Sequence, residues 1–289
     1  MPFDHRSTFK EKLFGFEGKL SKAQKEKVCL AKKIVFEAFL LARKKEKFLL
    51  ENGGILVDEE FGKDILKECK KRKIAFAMPV EKSGQEHFQF EYGKDFKKHL
   101  LKFKPVFAKV LVRFHPGDKD KTQLKRLLIL SKFCRENGIK LMFELLLVPT
   151  KSELEKMHGS KNEFDKKMRP LLMVQAIKEL EAFGIKVDIW KLEGLEKEIE
   201  MRSVVSQAKK QGKNVGVIVL GRGEDEKKVE KWLSVGAKVS GTIGFAVGRT
   251  VFWKPLEDFK NRKISRKKAA EEISSNYLSL VHLWMRGRK

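Results

Sequence analysis

Short apolar runs alternate with amphipathic helical stretches along almost the whole chain. Each run is rich in Val, Ile, Leu and Phe, which is typical of a strand buried on both faces. Seven runs cover residues 54–57, 73–78, 106–112, 139–147, 185–191, 215–220 and 241–247, and residues 3–5 form an eighth before the first helical stretch. The helical stretches cover residues 23–43, 61–71, 122–136, 170–183, 196–210, 226–233 and 267–284. This alternation predicts an α/β protein built on a parallel sheet.

Eight strand–helix units in a chain of 289 residues match the arithmetic of a (β/α)8 TIM barrel. A doubly wound open sheet is the alternative, but the GxGxxG turn expected after its first strand is missing. No stretch rich in Pro, Gly and Ser divides the chain, so we predict a single domain over residues 1–289. The polar segment 150–169 is too long for an ordinary connection, and its position after the fifth strand suggests a lid.

Composition restricts the class of protein. A hydrophobic fraction of 42% excludes global disorder, and no apolar run is long enough to span a membrane. The charged start of the chain does not resemble a signal peptide. Three scattered cysteines without a CxxC pair argue against a disulfide framework or a zinc ribbon. We therefore expect a cytoplasmic protein with reduced thiols and no membrane partner; a homo-oligomer is compatible with the sequence.

The chain carries 64 Lys and Arg against 39 Asp and Glu, a formal net charge of +25. Such a charge suits a nucleic-acid partner, an anionic substrate or simply a solvated surface. The lysines are interspersed with glutamates, and no zinc-finger, RRM or homeodomain signature is present. We favour the solvated surface and do not expect nucleic acid to be the partner.

Two charged residues within the apolar runs stand out, because barrel enzymes place their active sites at the carboxyl ends of the strands. Lys191 lies on the same face of its strand as the apolar residues Val187 and Ile189. Desolvation beside such residues favours the neutral amine that a Schiff-base nucleophile requires; a lysine turned to solvent is the alternative. Glu144 is an isolated carboxylate in its strand, suited to proton transfer or to a structural ion pair with a barrel lysine.

Other strand ends carry charges of both signs. Asp4 follows the first strand, Lys82 follows the third, and Lys109 and Arg113 share one face of the fourth. Each of these residues alone is more often structural than catalytic. Several of them converging on one end of a barrel are harder to explain by packing.

Glycine–arginine pairs follow the seventh and eighth strands. Gly221–Arg222 and Gly248–Arg249 lie where a barrel commonly binds phosphate, because glycine lets backbone N–H groups approach the ligand and arginine adds charge-assisted bonds. Glycines that serve only tight turns are the alternative.

Metal ligands are sparse. Six histidines are dispersed, no HxH or HExxH occurs, and only His5, His87 and His115 are candidates to approach the mouth. We expect neither a metal nor another cofactor, and no motif supports Cys–His or Ser–His catalysis.

Several segments resemble a known family. In chain order they are PFDHRSTFKEKLFG, ILVDEEFG, PVEKSG, VLVRFHPGD, FELLLVP, DIWKLEG and GFAVGRTVFWKPL. They resemble the aldolase-like domain at the C-terminus of 5-dehydro-2-deoxygluconokinase, a kinase of inositol catabolism. More distantly, the chain is similar to class I tagatose-1,6-bisphosphate aldolases, which are Schiff-base (β/α)8 barrels.

The resemblance implies roles for individual residues. It places the imine-forming lysine on Lys191, the strand-five glutamate on Glu144, the strand-one aspartate on Asp4 and the strand-three lysine on Lys82. The closing Gly-Arg of the phosphate site falls on Gly248–Arg249. The implied activity is class I aldol cleavage of a phosphorylated ketose or keto-acid, with 6-phospho-5-dehydro-2-deoxygluconate as a candidate substrate. A sugar-phosphate-binding barrel without catalysis and a basic nucleic-acid-binding protein remain the alternatives.

Overall fold

A computed structural model describes residues 1–118 and 120–288 of the chain. Seven parallel strands form one sheet in which each strand pairs with its neighbours in sequence. They are β1 (Gly54–Leu56), β2 (Ala75–Pro79), β3 (Phe107–Phe114), β4 (Lys140–Leu147), β5 (Ile189–Glu193), β6 (Gly216–Leu220) and β7 (Thr242–Ala246). All seven lie within or overlap the apolar runs, so the prediction of an α/β fold with a parallel sheet is confirmed.

Twelve α-helices are found among the described residues. They are α1 (Lys22–Lys45), α2 (Phe48–Asn52), α3 (Glu59–Lys71), α4 (Phe96–Phe103), α5 (Thr122–Glu136), α6 (Lys151–Lys156), α7 (Lys161–Lys167), α8 (Arg169–Ala182), α9 (Glu198–Ala208), α10 (Glu226–Ala237), α11 (Arg249–Lys260) and α12 (Arg266–Gly287). Several begin at side-chain caps: Ser21 accepts from the Gln24 amide, Asp58 from the Phe61 amide and Ser265 from the Lys268 amide. The sequence pattern did not predict α2, α4, α6, α7 or α11.

The predicted first strand is much shorter than expected. Only Pro2 bridges to Leu56 of β1, with the Phe3 amide donating to the Leu56 carbonyl at 2.8 Å. Proline has no amide hydrogen, and residues 4–6 turn directly into a short helical segment that includes Thr8–Leu13. The sheet is therefore a curled seven-stranded sheet, and residues 1–3 form only a rudimentary eighth strand beside β1.

The two ends of the sheet nevertheless come close together. Gly248, just after β7, packs so tightly against the N-terminal segment that an added Cβ would overlap the carbonyl oxygen of Pro2. Residues after β7 and Asp4 also line the same cavity. The curled sheet thus brings its strand ends to one mouth, as the sequence pattern predicted.

Apolar side chains from strands and helices form the core, with Phe3, Phe143 and Trp190 fully buried. Segment 150–169, expected to be a polar connection, contains α6 and α7. Among the described residues, no helix is both long enough and apolar enough to cross a membrane.

Candidate active site

A cavity of about 260 Å³ opens at the carboxyl ends of the strands. Its wall includes residues from the N-terminal segment and from the ends of β2 to β7. Every predicted site residue contributes to this wall, namely Asp4, Lys82, Lys109, Arg113, Glu144, Lys191, Gly221, Arg222, Gly248 and Arg249. The structure therefore gathers residues from distant parts of the sequence around one cavity.

Lys109 is the centre of a buried cluster of charges. Its Nζ lies 2.9 Å from Asp4 Oδ2, 2.6 Å from Glu81 Oε1 and 2.9 Å from Glu144 Oε2. Burial alone would lower the pKa of Lys109, but the carboxylates of Asp4, Glu144 and Glu81 raise it well above the ordinary value. Lys109 is therefore a permanent cation at the bottom of the cavity.

Lys191 lies beside this cluster and has a different environment. Its residue is only 3% exposed, and its Nζ contacts one carboxylate, Glu144 Oε2, at 2.9 Å. The register of β4 and β5 pairs Glu144 with Lys191, so their side chains leave the sheet on the same face. A buried amine next to a single proton-accepting carboxylate is the arrangement that imine chemistry needs.

The three carboxyl groups around Lys109 differ in how readily they hold a proton. Burial would raise the pKa of Glu144, but Lys109 and Lys191 lower it to about 2. Asp4 is also buried, yet Lys109, His5 and Lys191 bring its pKa below the ordinary range. At Glu81 burial prevails over Lys109, so the pKa of Glu81 is raised. Such divergent environments separate proton donors from acceptors in an active site.

Lys82 does not join the charge cluster. Its side chain is exposed at the rim of the cavity, while the preceding residue, Glu81, is buried and binds Lys109. The guanidinium of Arg6 donates to the Glu81 carbonyl and forms an ion pair with Glu91 at 2.7 Å. Glu81 lies two positions beyond Pro79, which pairs with Lys109, so it shares the face of Lys109, and the contacts of Arg6 hold this end of β2.

One side of the cavity is suited to anions. Gly248 is the N-cap residue of α11 and supplies no side-chain cap. The N-terminus of this twelve-residue helix, with Gly248 and Arg249, therefore forms part of the cavity wall and leaves backbone amides without a capping side chain. The Arg249 guanidinium donates to the Arg222 carbonyl. Arg222 itself is engaged by carboxylates, with Nη2 2.5 Å from Asp165 Oδ2 and Nη1 2.8 Å from Glu193 Oε1. Of the two arginines, Arg249 is the one available to a ligand.

Arg113 lies on another side of the cavity, where its Nη1 donates to the Gln85 carbonyl at 2.7 Å. Because β3 and the end of β2 are far from β6 and β7 in the strand order, Arg113 and Lys82 face the cavity from the side opposite Arg249. The cavity thus has cationic groups at both ends and an acidic cluster between them.

The candidate metal ligands are not brought together. His5 lines the cavity, His115 contacts Glu153 at 3.0 Å, and His87 is exposed. Burial lowers the pKa of His5 to about 4, opposed by Asp4. Within residues 1–118 and 120–288, no three or more His, Cys, Asp or Glu side chains are arranged to hold a metal ion.

Four residues of the site were not among the predicted site residues: Glu81, Arg6, Asp165 and Glu193. Arg6 and Glu81 lie in the charged strand ends that were recognised, but Asp4 and Lys82 were the residues singled out there. Glu193 is two positions beyond Lys191 and shares its face, which was a usable signal. Asp165 lies in segment 150–169, and nothing in its local sequence points to Arg222.

Solved aldolase structures have a similar fold. Fructose-bisphosphate aldolase from Plasmodium falciparum, solved in complex with TRAP and a small-molecule inhibitor, is 14% identical, with 97% of this chain and 89% of that chain covered and a TM-score of 0.58. The YdjI aldolase from Escherichia coli K12 is 10% identical, with 87% of each chain covered and a TM-score of 0.53. At these identities the likeness concerns the fold alone.

The sequence itself has a family but no curated relative. No curated protein matches the chain at a significant level. Residues 1–288, nearly the entire length, match the family described as "Uncharacterized protein conserved in bacteria (DUF2090)". The chain with the Lys109 cluster and the buried Lys191 thus belongs to this family.

Proposed function

We propose that the protein is a class I aldolase that cleaves a phosphorylated ketose or keto-acid through a Schiff base on Lys191. The observation that carries this proposal is the buried Nζ of Lys191, 2.9 Å from Glu144 Oε2 and open to a cavity with cationic ends. The aldolase-like fold supports it. The architecture we propose is a single (β/α)8 barrel domain over residues 1–289, with residues 1–3 as the eighth strand; Lys119 and Lys289 lie outside the described residues.

The first half of the reaction forms the imine. After passing a proton to Glu144, the Lys191 amine attacks the substrate ketone to give a carbinolamine, and loss of water gives the protonated imine. Glu144 accepts and returns protons in these steps, since its carboxylate contacts the Lys191 amine directly. Lys109 keeps its own proton and stabilises developing negative charge on oxygen.

The second half breaks the carbon–carbon bond. Asp4, which is ionised, removes the proton from the hydroxyl group at the carbon that becomes the aldehyde. The bonding electron pair passes into the imine, which serves as the electron sink and forms an enamine, so the mechanism uses no metal. Protonation at carbon and addition of water then release the ketone product and return Lys191 to the free amine. The water lost in imine formation is regained here.

The cationic ends of the cavity favour a substrate with anionic groups at both ends. Arg249 and the α11 N-terminus would hold the phosphate, while Lys82 and Arg113 would hold a carboxylate or a second phosphate. A substrate of this kind is 6-phospho-5-dehydro-2-deoxygluconate, cleaved to dihydroxyacetone phosphate and malonate semialdehyde in inositol catabolism. The reaction would take place in the cytoplasm.

Borohydride trapping tests the chemistry. The protein is incubated with a panel of phosphorylated ketoses and keto-acids, including fructose and tagatose bisphosphates, and reduced with borohydride. Peptide mass spectrometry should find the reduced adduct on Lys191 and not on Lys109. Lys191→Met should abolish the adduct and slow cleavage on the order of 10⁴-fold. Cleavage at the normal rate by Lys191→Met would refute the mechanism.

A sugar-phosphate-binding barrel without catalysis is the second candidate. The contact between Lys191 and Glu144 also suits this candidate, because an amine held in a purely structural ion pair would not attack a carbonyl group. In that case, members of the panel would bind in the cavity but give neither an adduct nor products.

A further inference from the structure

Arg222 is surrounded by carboxylates. Its guanidinium donates to Asp165 at 2.5 and 3.2 Å, to Glu193 at 2.8 Å and to Glu224 at 2.6 Å. Asp165 belongs to α7 and Glu193 ends β5, two residues beyond Lys191. One side chain therefore joins three separate parts of the chain beside the cavity.

The charges of this group are balanced. Arg169 donates to Asp165 at 3.1 Å, and Lys228 contacts Glu224 at 3.3 Å, so three cations face the three carboxylates. Burial would lower the pKa of Arg222, but its bonds to Asp165, Glu193 and Glu224 raise it. To bind a phosphate directly, the guanidinium would have to leave carboxylates that already satisfy it, two of which are buried.

The backbone of Arg222 has a separate role. Its carbonyl oxygen accepts a hydrogen bond from the Arg249 guanidinium. Arg222 and Gly223 both adopt positive φ values, 53° and 82°, and a Cβ at Gly223 would overlap the Arg249 guanidinium. Arg249 therefore lies against this left-handed turn, and the shape of the turn decides where its guanidinium points.

We propose that Arg222 is a positioning residue and not an anion ligand: its side chain fixes the turn, and its carbonyl orients Arg249 toward a phosphate group in the cavity. The bond to Asp165 extends this control to α7, so segment 150–169 and the phosphate-binding arginine are mechanically linked. Arg249 has no carboxylate partner among the described residues, which leaves its charge for the ligand. This inference deepens the proposed function and rests on its claim that the cavity binds phosphate.

The experiment measures the affinity for inorganic phosphate by isothermal titration calorimetry at neutral pH. Arg249→Met should weaken binding about 10-fold or more, as expected for loss of a charge-assisted bond. Arg222→Met should weaken it by about 3- to 10-fold, and the Arg222→Met/Arg249→Met double variant should bind no more weakly than Arg249→Met alone. Non-additivity is the signature of a residue that acts through another. Lys231→Met on α10, which removes an exposed ion pair with Glu196, should leave the affinity unchanged.

Asp165→Asn gives the sharpest distinction. If Arg222 positions Arg249, loosening its anchor weakens phosphate binding, in the same direction as Arg222→Met. If Arg222 is itself a ligand, loss of the competing carboxylate frees its guanidinium and binding tightens. Arg222→Lys separates the roles again, since a lysine restores a phosphate contact but not the forked bonds to the carboxylates.

Tighter binding by Asp165→Asn, additive losses in the double variant or rescue by Arg222→Lys would each overturn the inference, as would undetectable phosphate binding by the wild type. If Arg222→Met does not fold, Asp165→Asn and Glu224→Gln, which retain side-chain size, decide the question. Phosphate binding needs no imine, so failure of trapping on Lys191 would refute the proposed chemistry without affecting this test.

Discussion

Lys109 and Lys191 contact the same oxygen atom, Oε2 of Glu144, and both Nζ atoms lie 2.9 Å from it. Lys109 is additionally held by Asp4 and Glu81, whereas Glu144 is the one carboxylate that contacts Lys191 among the described residues. The two lysines are therefore neighbours that differ in the number of carboxylates they contact. Lys109 maintains the charge of the cluster, and in the proposed mechanism Lys191 gives up its contact to react.

This difference predicts opposite consequences for two similar substitutions. Lys109→Met leaves three buried carboxyl groups short of a cation and should lower the free energy of unfolding by about 3–5 kcal/mol. Lys191→Met should cost much less stability, since Glu144 keeps Lys109, but should lower kcat on the order of 10⁴-fold. Urea unfolding and steady-state kinetics measure the two effects. Equal loss of stability in both variants would contradict the assignment.

The pKa of Glu144, lowered to about 2, predicts a pH dependence of stability. A carboxyl with a depressed folded-state pKa stabilises the fold above its unfolded pKa of about 4.3, and this contribution is lost as the pH falls toward 2. Glu144→Gln lacks it at every pH. The difference in unfolding free energy between wild type and variant should therefore shrink by up to about 3 kcal/mol below pH 4.3. Urea titrations at successive pH values test this; a difference that stays constant would contradict it.

Closure of the sheet at Gly248 gives a third prediction. Gly248 has φ −116°, outside the left-handed region that favours glycine, so Gly248→Ala should act chiefly through the clash of its Cβ with the Pro2 carbonyl and its close contacts with Phe252 and His5. We expect a loss of about 1–3 kcal/mol, as for other overpacked sites, and a lower kcat because Asp4 is two residues from Pro2. Gly244→Ala on β7 is the matched control, since its nearest atom would be 3.8 Å away. Indistinguishable unfolding curves for the two variants would show that the closure is loose.

Lys32 anchors the segment that carries Asp4. This fully buried lysine of α1 donates to the Phe3 carbonyl at 2.8 Å and pairs with Asp58, the cap of α3. Lys32→Met leaves Asp58 buried without its cation and should cost about 3–5 kcal/mol. It should also lower kcat, because Asp4 follows Phe3 directly. Lys33→Met, at the exposed neighbouring position, should change neither the unfolding midpoint nor kcat.

The seven strands and the two central residues could be predicted because they depend on local pattern. Buried parallel strands form continuous apolar runs, and a charge such as Lys191 or Glu144 inside a run stands out. The N-terminal strand could not be predicted in length, because Pro2 and the early turn into a helix restrict its pairing to one bridge. The helix α11 was missed because Pro255 lies within it.

Lys82, Arg222 and Arg249 show which features of the site the sequence alone does not predict. Glu81 lies two positions beyond Pro79, the last residue of β2, and shares its face, whereas Lys82 falls on the opposite face. Alternation from the paired residues Pro79 and Lys109 thus favours Glu81 as the inward residue, and the bond from Arg6 to the Glu81 carbonyl adds a contact that no local pattern encodes. Arg222 and Arg249 look equivalent after their strands. Asp165 distinguishes them from 57 positions away, and no local pattern encodes that distance.

The net charge of +25 predicts a dependence on salt. Some surface lysines pair with nearby carboxylates, as Lys167 does with Glu163 and Lys254 with Asp258, so part of this charge is locally balanced. The cavity, by contrast, presents Lys82, Arg113 and Arg249 to an incoming anion. We expect kcat/KM for a phosphorylated substrate to fall several-fold as salt rises, with an unchanged pH profile, because screening weakens long-range attraction.

Binding to unrelated RNA or duplex DNA should be negligible near about 0.15 M salt. Fluorescence anisotropy alongside kinetics at matched salt concentrations makes the comparison. A salt-independent kcat/KM together with submicromolar, salt-sensitive RNA binding would instead make nucleic acid the principal partner.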